Sequence, residues 1–423
     1  MKKLLPISLG CAKNQIDLEY LLAKMTKSQF VLTDNFEDCD YILVNTCSFI
    51  QDAREESEAV IRKYESEGKL IIAGCYPQLE KIDVKKNHPS VKWFIGTEPH
   101  REASSLMKAL HKNEFFFNLN PNDGEYLECS NRIAFGAFHT FVKLSEGCSR
   151  KCAYCSIPRI RGALRSREMT AVKKEIESLS KAGFKEFNLV SEDSSMYGRE
   201  KNSSQSISNL IRFLRDNFKE SIFRLLYVFP DKNIYEIIDL IAASDNFIKY
   251  IDIPFQHSSE RVLKRMSRNQ ENALDVALYV KSKGLLLRSS VMVGFPGESE
   301  KDFNDLLEFI GCGLIDKLGI FMYSDEKNTK SFSLKGKVSE RVKIERFNAI
   351  VKKQRIIAAG KMRNNIGKMK PAVFSRSENG LFIGRLIEDA PAVDSILISH
   401  AKKPLNKEIN VKIKCVKNYT YFA

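Results

Sequence analysis

Glu146-Gly147-Cys148-Ser149-Arg150-Lys151-Cys152-Ala153-Tyr154-Cys155 follows the apolar run at 140–144, and this stretch decides how the rest of the chain is read. Its three cysteines, spaced C-x-x-x-C-x-x-C on a loop after a strand, put three thiolates close together. Such a set can hold three irons of a four-iron, four-sulfur cluster and leave the fourth iron open to another ligand. The competing reading is a zinc knuckle closed by a fourth ligand such as His139, because soft thiolates suit Zn²⁺ equally well.

Moving outward from the loop, strands are expected at 140–144, 186–191, 223–228, 250–253, 285–293 and 317–322, with helical patterns between them. Six strand and helix units fit a partial (β/α)6 barrel, whose active site belongs at the carboxyl ends of the strands. Upstream, strands at 4–9, 41–44 and 70–73 alternate with helix-period segments at 17–27, 52–66 and 79–86, the pattern of a parallel α/β sheet. A cysteine follows each of these three strands, in Gly10-Cys11, Thr46-Cys47 and Gly74-Cys75. Loops after parallel strands open on one sheet edge, so these remote cysteines can converge there. Gly10 and Gly74 would let the backbone approach a bulky group without a Cβ in the way. The polar stretch 118–131, with Pro121 and Gly124, reads as a linker. A helix-period segment at 339–365, ended by Pro371, leads to short strands at 372–375, 381–386, 396–399 and 411–416, as in a small OB-like barrel. The expected fold is thus α/β, in three parts: an N-terminal parallel-sheet domain at 1–117, the barrel with its trailing basic helix at 132–365, and a C-terminal β-barrel at 368–423.

The 423 residues are 43% apolar and carry 67 Lys+Arg against 53 Asp+Glu, a net +14. Disorder and disulfide-stapled miniature folds are excluded by that apolar content and by ten dilute cysteines. No apolar run approaches the roughly 18 residues of a membrane span. A cytoplasmic, reducing setting is the expectation, in which clustered cysteines bind metal rather than cross-link. Cys39, Cys129, Cys312 and Cys415 match no motif and read as structural. Residues 335–370 hold twelve Lys+Arg against two Asp+Glu, so most of the excess charge is local. The plain reading is a solvated helical face; its position before the OB-like module also suggests RNA contact through 335–423.

The cysteine spacing, with Tyr154 just before the last cysteine, resembles the radical S-adenosylmethionine (SAM) superfamily. Gly294-Phe295-Pro296-Gly297-Glu298, after an apolar strand, is similar to that family's glycine-rich SAM contact. Ser8-Leu9-Gly10-Cys11-Ala12-Lys13-Asn14, Asn45-Thr46-Cys47 and Ala73-Gly74-Cys75 resemble the N-terminal domain of methylthiotransferases, and the C-terminal module is similar to the TRAM domain. Glu192-Asp193-Ser194-Ser195-Met196-Tyr197-Gly198, Ile253-Pro254-Phe255-Gln256-His257 and Glu388-Asp389-Ala390-Pro391-Ala392-Val393-Asp394 resemble the RimO type, which modifies a ribosomal protein, more than the MiaB type, which modifies tRNA. Gln15-Ile16-Asp17-Leu18-Glu19 departs from the family's usual Val-Asp-Ser-Glu, at a helix start.

The resemblance implies two 4Fe-4S clusters and SAM. Cys148, Cys152 and Cys155 would hold the catalytic cluster, with Tyr154, Asp193, Gln256, Gly294, Gly297 and Glu298 around the cofactor; Cys11, Cys47 and Cys75 would hold an auxiliary cluster. The implied reaction is methylthiolation of the β-carbon of an aspartate in small-subunit ribosomal protein twelve, free or on the ribosome, with a reductant such as flavodoxin or ferredoxin. It requires the sheet edge of the first domain to face the open end of the barrel. Tyr197 and His257 join Asp193, Gln256 and Glu298 as cavity candidates, although Asp193 and Glu298 serve equally well as helix caps. Two other functions compete: a tRNA methylthiotransferase, and a non-catalytic metal-cluster RNA-binding protein.

Overall fold

Short apolar runs between turn signals become the strands of the first sheet in a computed structural model that describes residues 1–119, 126, 128–129, 131–200, 205–327 and 329–423. Strands β1 (Lys2–Ser8), β2 (Phe30–Leu32), β3 (Tyr41–Thr46), β4 (Leu70–Gly74), β5 (Trp93–Ile95) and β6 (Phe116–Asn118) run parallel in the order β2-β1-β3-β4-β5-β6. The sequence marks β1, β3 and β4; the other three have only three residues each and carry no clear pattern. Cys11 is the N-cap residue of helix Ala12–Thr26, Cys47 follows β3, and Cys75 opens helix Cys75–Glu80 after β4. All three therefore stand at the carboxyl edge of one sheet. Residues 120–125, 127 and 130 of the expected linker, with Pro121 and Gly124, lie outside the described residues.

The second sheet opens with β7 (His139–Lys143). A two-stranded antiparallel pair, β8 (Ser145–Glu146) with β9 (Arg165–Ser166), then brackets the cysteine loop. β10 (Glu186–Val190), β11 (Ile222–Leu225), β12 (Phe247–Asp252), β13 (Leu286–Val293) and β14 (Lys317–Met322) complete six parallel strands in the order β7-β10-β11-β12-β13-β14. Strand alternation divides the two faces. Phe187, Leu189, Phe223, Leu225 and Leu287 pack with helix residues such as Leu214 and Ile237. Val190, Leu226 and Tyr250 instead meet Ile16 and Tyr20 of the first helix and Ala390 of the C-terminal module. Both flanking domains thus cover the face that the open barrel leaves bare.

The basic helix spans Glu340–Arg363, its N-terminus capped by the Ser339 side chain. Pro371 does not end it: the helix stops at Arg363, and Pro371 stands inside β15 (Met369–Glu378) opposite Asn410. With β16 (Leu381–Leu386), β17 (Ile396–Ser399), β18 (Glu408–Lys412), β19 (Cys415–Lys417) and β20 (Thr420–Phe422), this strand forms a mainly antiparallel sheet ordered β18-β15-β16-β17-β20-β19. The single strand expected at 411–416 is therefore parts of two, with turns that the alternation pattern does not mark. Phe374, Leu386, Leu397 and Tyr421 form the module's small core.

Arg224, fully buried in β11, fixes this module to the barrel by donating to the carbonyls of Ile387 (2.7 Å), Glu388 (3.1 Å) and Asp389 (3.0 Å). Asp394 accepts from Tyr250 Oη at 2.9 Å and Arg288 at 2.7 Å. The stretch from Glu388 to Asp394 is thus a structural plug on the barrel. Among the described residues no helix is long and apolar enough to cross a membrane, and all ten cysteines are free.

Candidate active site

The barrel triad sits on a loop closed at its base. Cys148 N–H donates to Gly162 O at 3.1 Å, and Ser149 Oγ accepts Leu164 N–H at 3.2 Å. Gly147 holds φ +70, and a Cβ there would meet Ala163 O at 2.1 Å, so only glycine fits between strand and first cysteine. Ala153 N–H donates to Met266 O at 2.8 Å, fixing the loop against the turn after helix Glu260–Arg265. The sulfurs are themselves acceptors. Arg150 N–H approaches Cys148 Sγ at 3.4 Å, Arg268 Nη1 lies 3.8 Å from Cys152 Sγ, and the Ile157 amide faces Cys155. The Phe229 ring meets two cations, the Arg150 and Arg268 guanidinium groups 3.8 and 4.3 Å from its centre.

Tyr154 brings the other predicted cofactor residues to this loop. Its ring meets Phe295 edge-on at 6.4 Å, and its hydroxyl accepts from Arg268 at 3.3 Å. Gly294 and Gly297 have φ +77 and +83; a Cβ on either would meet the Lys343 or the Arg265 side chain at 2.3 or 2.5 Å. Glu298 is buried behind this turn. Its Oε2 accepts the Gly294 and Phe295 amides at 2.7 and 3.2 Å, and its Oε1 accepts from Arg346 at 2.8 Å. The cap of the following helix is Ser299 rather than Glu298. Asp193 does cap a short turn, accepting from Ser195 N–H at 3.0 Å, and its other oxygen accepts from Arg150 at 2.8 Å. Gln256 is half-buried with φ +68, and Tyr227, at the end of the neighbouring strand, has φ +58. Left-handed backbone is uncommon at non-glycine residues, and here both instances come just after barrel strands.

The two other cavity candidates are both fully buried, Tyr197 in the barrel core and His257 with Nε2 4.0 Å from Glu298 Oε2. Tyr197 donates its hydroxyl to Arg167 O at 2.9 Å. In His257, Nδ1 accepts Ser259 N–H at 2.9 Å, and desolvation lowers the pKa to about 4. Position after a strand end makes both cavity candidates in the sequence, but residues after a strand alternate in direction, and position alone does not say which of them turn into the packed interior.

The N-terminal triad is assembled from three strand ends. Asn14 Nδ2 donates to Thr46 O at 2.7 Å and Asn45 Nδ2 to Asn14 O at 2.8 Å, lacing the Cys11 and Cys47 loops together. At Gly74 φ is +95, and a Cβ would meet Asn45 Oδ1 at 2.7 Å and Thr46 O at 2.8 Å; at Gly10 it would meet the Asn14 side chain at 2.2 Å. Gly74 is required because the loop after β3 approaches it closely, and Gly10 because the Asn14 side chain of the helix that follows folds back over it, in addition to any group the cysteines hold. Ser57 Oγ ties both the N–H and the C=O of Cys47, at 3.1 and 2.8 Å.

A buried charge network joins the two triads. Lys13, two residues beyond Cys11, pairs with Glu192 at 3.0 Å, reaches Ser191 O at 3.4 Å and lies 4.3 Å from the Tyr227 ring centre. The carboxyl edge of the first sheet therefore meets the carboxyl ends of β10 and β11. Glu192 also faces Arg161 Nε at 3.4 Å, and Arg161, on the helix that follows the barrel cysteines, reaches Cys75 Sγ at 3.6 Å, so the two cysteine-bearing loops share one ion-pair layer. Deeper in the interface Asp17 pairs with Lys143 and with Arg161 (3.0 Å), and Arg132 joins Glu19 (3.2 Å) to Glu175 (3.1 Å). Sequence reasoning missed this layer. The available signal was Lys13, Asp17 and Glu19 interspersed among the apolar residues of the first helix, which the structure buries on nearly every side.

The donor chemistry fits iron-sulfur clusters. Burial, helped by the neighbouring sulfurs, pushes Cys75, Cys148 and Cys155 each up to about 12. Crowded thiolates with N–H donors aimed at sulfur are unfavourable bare and favourable on a cationic metal, which reverses the sign of the local electrostatics. Among the described residues no group of three His, Cys, Asp or Glu is placed to hold a single metal ion. His139 is no fourth ligand: it begins β7, whose other end leads to the cysteine loop, and burial lowers its pKa to about 4. A cleft of about 660 Å³ at the junction with the C-terminal module, lined by Arg288, Lys361, Asp394 and Tyr419 among others, contains none of the six cysteines.

Comparison with known proteins adds family evidence. The Radical SAM superfamily matches residues 142–310, and Uncharacterized protein family UPF0004 matches residues 3–96. Ribosomal protein uS12 methylthiotransferase RimO of Acetivibrio thermocellus is 34% identical over 440 residues, covering 99% of this chain and 97% of its own. The protein of the same name from Thermodesulfovibrio yellowstonii is 33% identical, with 100% and 98% covered. Among solved structures, the radical SAM methyltransferase TsrM from Kitasatospora setae with cobalamin and a 4Fe-4S cluster bound has a TM-score of 0.57 at 12% identity, covering 90% of this chain and 76% of that one. The cobalamin-dependent radical enzyme OxsB with aqua-cobalamin and S-adenosylmethionine bound has a TM-score of 0.53 at 14% identity, over 84% and 56%. At those identities the structural likeness shows the fold.

Proposed function

This chain belongs to the RimO-type methylthiotransferase family of radical SAM enzymes, and we propose that it adds a methylthio group to ribosomal protein uS12, at the β-carbon of an aspartate. The observation that carries the reading is the junction of the two sheet edges: Glu192, just beyond β10 of the barrel, pairs with Lys13, two residues after Cys11, at 3.0 Å and faces Arg161 at 3.4 Å, and Arg161, six residues after Cys155, reaches Cys75 Sγ at 3.6 Å. When bound, a cluster at the barrel triad would supply the electron that turns one SAM into the hydrogen-abstracting radical, and a cluster at the N-terminal triad would supply sulfur methylated by another SAM.

Cys148, Cys152 and Cys155 would hold the first of these groups and Cys11, Cys47 and Cys75 the second. Tyr154, Gly294 and Gly297 border the SAM side, Glu298 shapes the glycine turn from behind, and Asp193 and Gln256 stand at the rim. An unactivated C–H bond is too strong and too weakly acidic for general acid-base chemistry. The protein's work is therefore to hold the substrate carbon between the two triads and keep water out. The interdomain ion pairs serve that end by fixing one sheet edge against the other.

Likeness to ribosomal protein uS12 methylthiotransferases over 99% and 100% of the chain favours the ribosomal protein over tRNA, and family membership leaves no room for a non-catalytic binding module. Basic charge is weaker support for RNA contact than the sequence suggests, because Lys343 and Arg346 are buried against Tyr323 and Glu298. Arg341, Lys352, Lys353, Arg355 and Arg363 remain exposed and could meet ribosomal RNA, an association that added salt would weaken. A flavodoxin or ferredoxin as reductant and a cytoplasmic setting complete the reading.

Mass spectrometry of uS12 and of tRNA nucleosides from a strain lacking the gene tests the proposal. The methylthio mass should disappear from uS12 and persist on tRNA. Loss from tRNA with uS12 unchanged would defeat it.

A further inference from the structure

Arg161 belongs to the barrel domain yet reaches a sulfur of the other domain. It closes helix Ile157–Arg161, which follows the C-x-x-x-C-x-x-C loop, and is 1% exposed. Its Nη2 lies 3.6 Å from Cys75 Sγ and 3.4 Å from Asn14 Oδ1. Nη1 bonds Asp17 at 3.0 Å and Glu146 at 2.5 Å, and Nε faces Glu192 at 3.4 Å. Lys143 shares Asp17 and Glu146, and Lys13 shares Glu192.

Arg161, Lys143 and Lys13 thus stand against Asp17, Glu146 and Glu192, a set that is neutral without any sulfur. The contact to Cys75 is therefore not demanded by charge balance. It follows from the planar fork: with Nη1 and Nε held by carboxylates, the remaining edge can point only toward the N-terminal triad. The barrel triad has its own arginine, Arg268, 3.8 Å from Cys152 Sγ, but that contact stays within one domain. Hydrogen bonds to ligand sulfur favour the more negative, reduced state of a cluster and are one of the levers that set its potential.

We propose that Arg161 is a positioning residue that donates to Cys75 and raises the reduction potential of the auxiliary cluster, making that potential depend on how the two domains dock. The inference rests on the auxiliary-cluster assignment proposed above.

Full-length wild type, Arg161→Gln and Arg161→Lys are reconstituted anaerobically, their iron is counted, and each cluster is titrated redox-wise by electron paramagnetic resonance. In Arg161→Gln the auxiliary cluster should become harder to reduce: at the wild-type midpoint its reduced-to-oxidised ratio falls about tenfold, about 59 mV for one electron. The barrel cluster should keep its midpoint. Arg161→Lys, which restores charge but not the fork, should give a smaller shift in the same direction. Arg161→Gln leaves Asp17 and Glu146 short of a cation, so Arg161→Gln with Asp17→Asn guards against misfolding, and Arg161→Lys reads the same quantity if both fail to fold. Two intact clusters with an unchanged auxiliary midpoint, or equal shifts in both clusters, overturn the proposal. A wild-type chain holding one cluster overturns the auxiliary-cluster assignment instead.

Discussion

In the barrel, Cys148, Cys152 and Cys155 lie within one loop; in the N-terminal domain, Cys11, Cys47 and Cys75 meet only because three parallel strands end at one sheet edge. The first triad is organised locally, by Gly147, the β8–β9 pair and a few backbone hydrogen bonds. The second depends on register, with Ser8 opposite Asn45 and Thr46 opposite Gly74, and on a partner domain whose Arg161 touches Cys75. A local site tolerates perturbation elsewhere in the chain. A remote site inherits the precision of everything that brings its parts together.

Gly74→Ala attacks that dependence and has the larger expected effect. Only glycine takes φ +95 with ψ −144 there, and the new Cβ would press on Asn45 and Thr46. We expect a loss of about 3 kcal/mol in denaturant unfolding, from backbone strain and overpacking together. Auxiliary iron should be lost while SAM cleavage at the barrel triad continues. Retention of the full iron content would show that the remote triad is less dependent on strand geometry than the comparison requires.

His139→Gln sharpens the comparison from the other end of the barrel, with a smaller effect. Burial lowers His139 to about 4 from its usual value of 6.5, so the native state resists its protonation. The stability associated with the neutral ring is fully present above pH 6.5 and is lost as pH falls through 4; because the ring is only partly shielded from solvent, it is worth about 1–2 kcal/mol. Removing the ring should flatten the acid limb of the unfolding midpoint between those pH values and leave iron binding intact. Loss of iron on this substitution would return the histidine to the ligand set.

The same contrast explains how much could be read in advance. Six barrel strands, three cysteine-bearing sheet strands and both triads were legible because apolar runs and cysteine positions repeat one pattern. The three-residue strands β2, β5 and β6 carry no period, and their existence follows from packing against longer neighbours. Arg161, Arg224 and Arg132 were invisible because each is buried by a partner far away in sequence, and a lone arginine in a sequence reads as surface. Glu388 to Asp394 stood out as a signature, yet its plug-like role needed the barrel strands beside it.

The division of labour between the triads is the central claim, and iron counting combined with SAM cleavage tests it directly in Cys47→Ala and Cys148→Ala. Reconstituted Cys47→Ala should retain the barrel cluster, about four irons of an intact chain's eight, and still cleave SAM without adding a methylthio group to uS12; Cys148→Ala should not cleave SAM at all. A Cys47→Ala protein that still methylthiolates, or a Cys148→Ala protein that still cleaves SAM, would contradict the account.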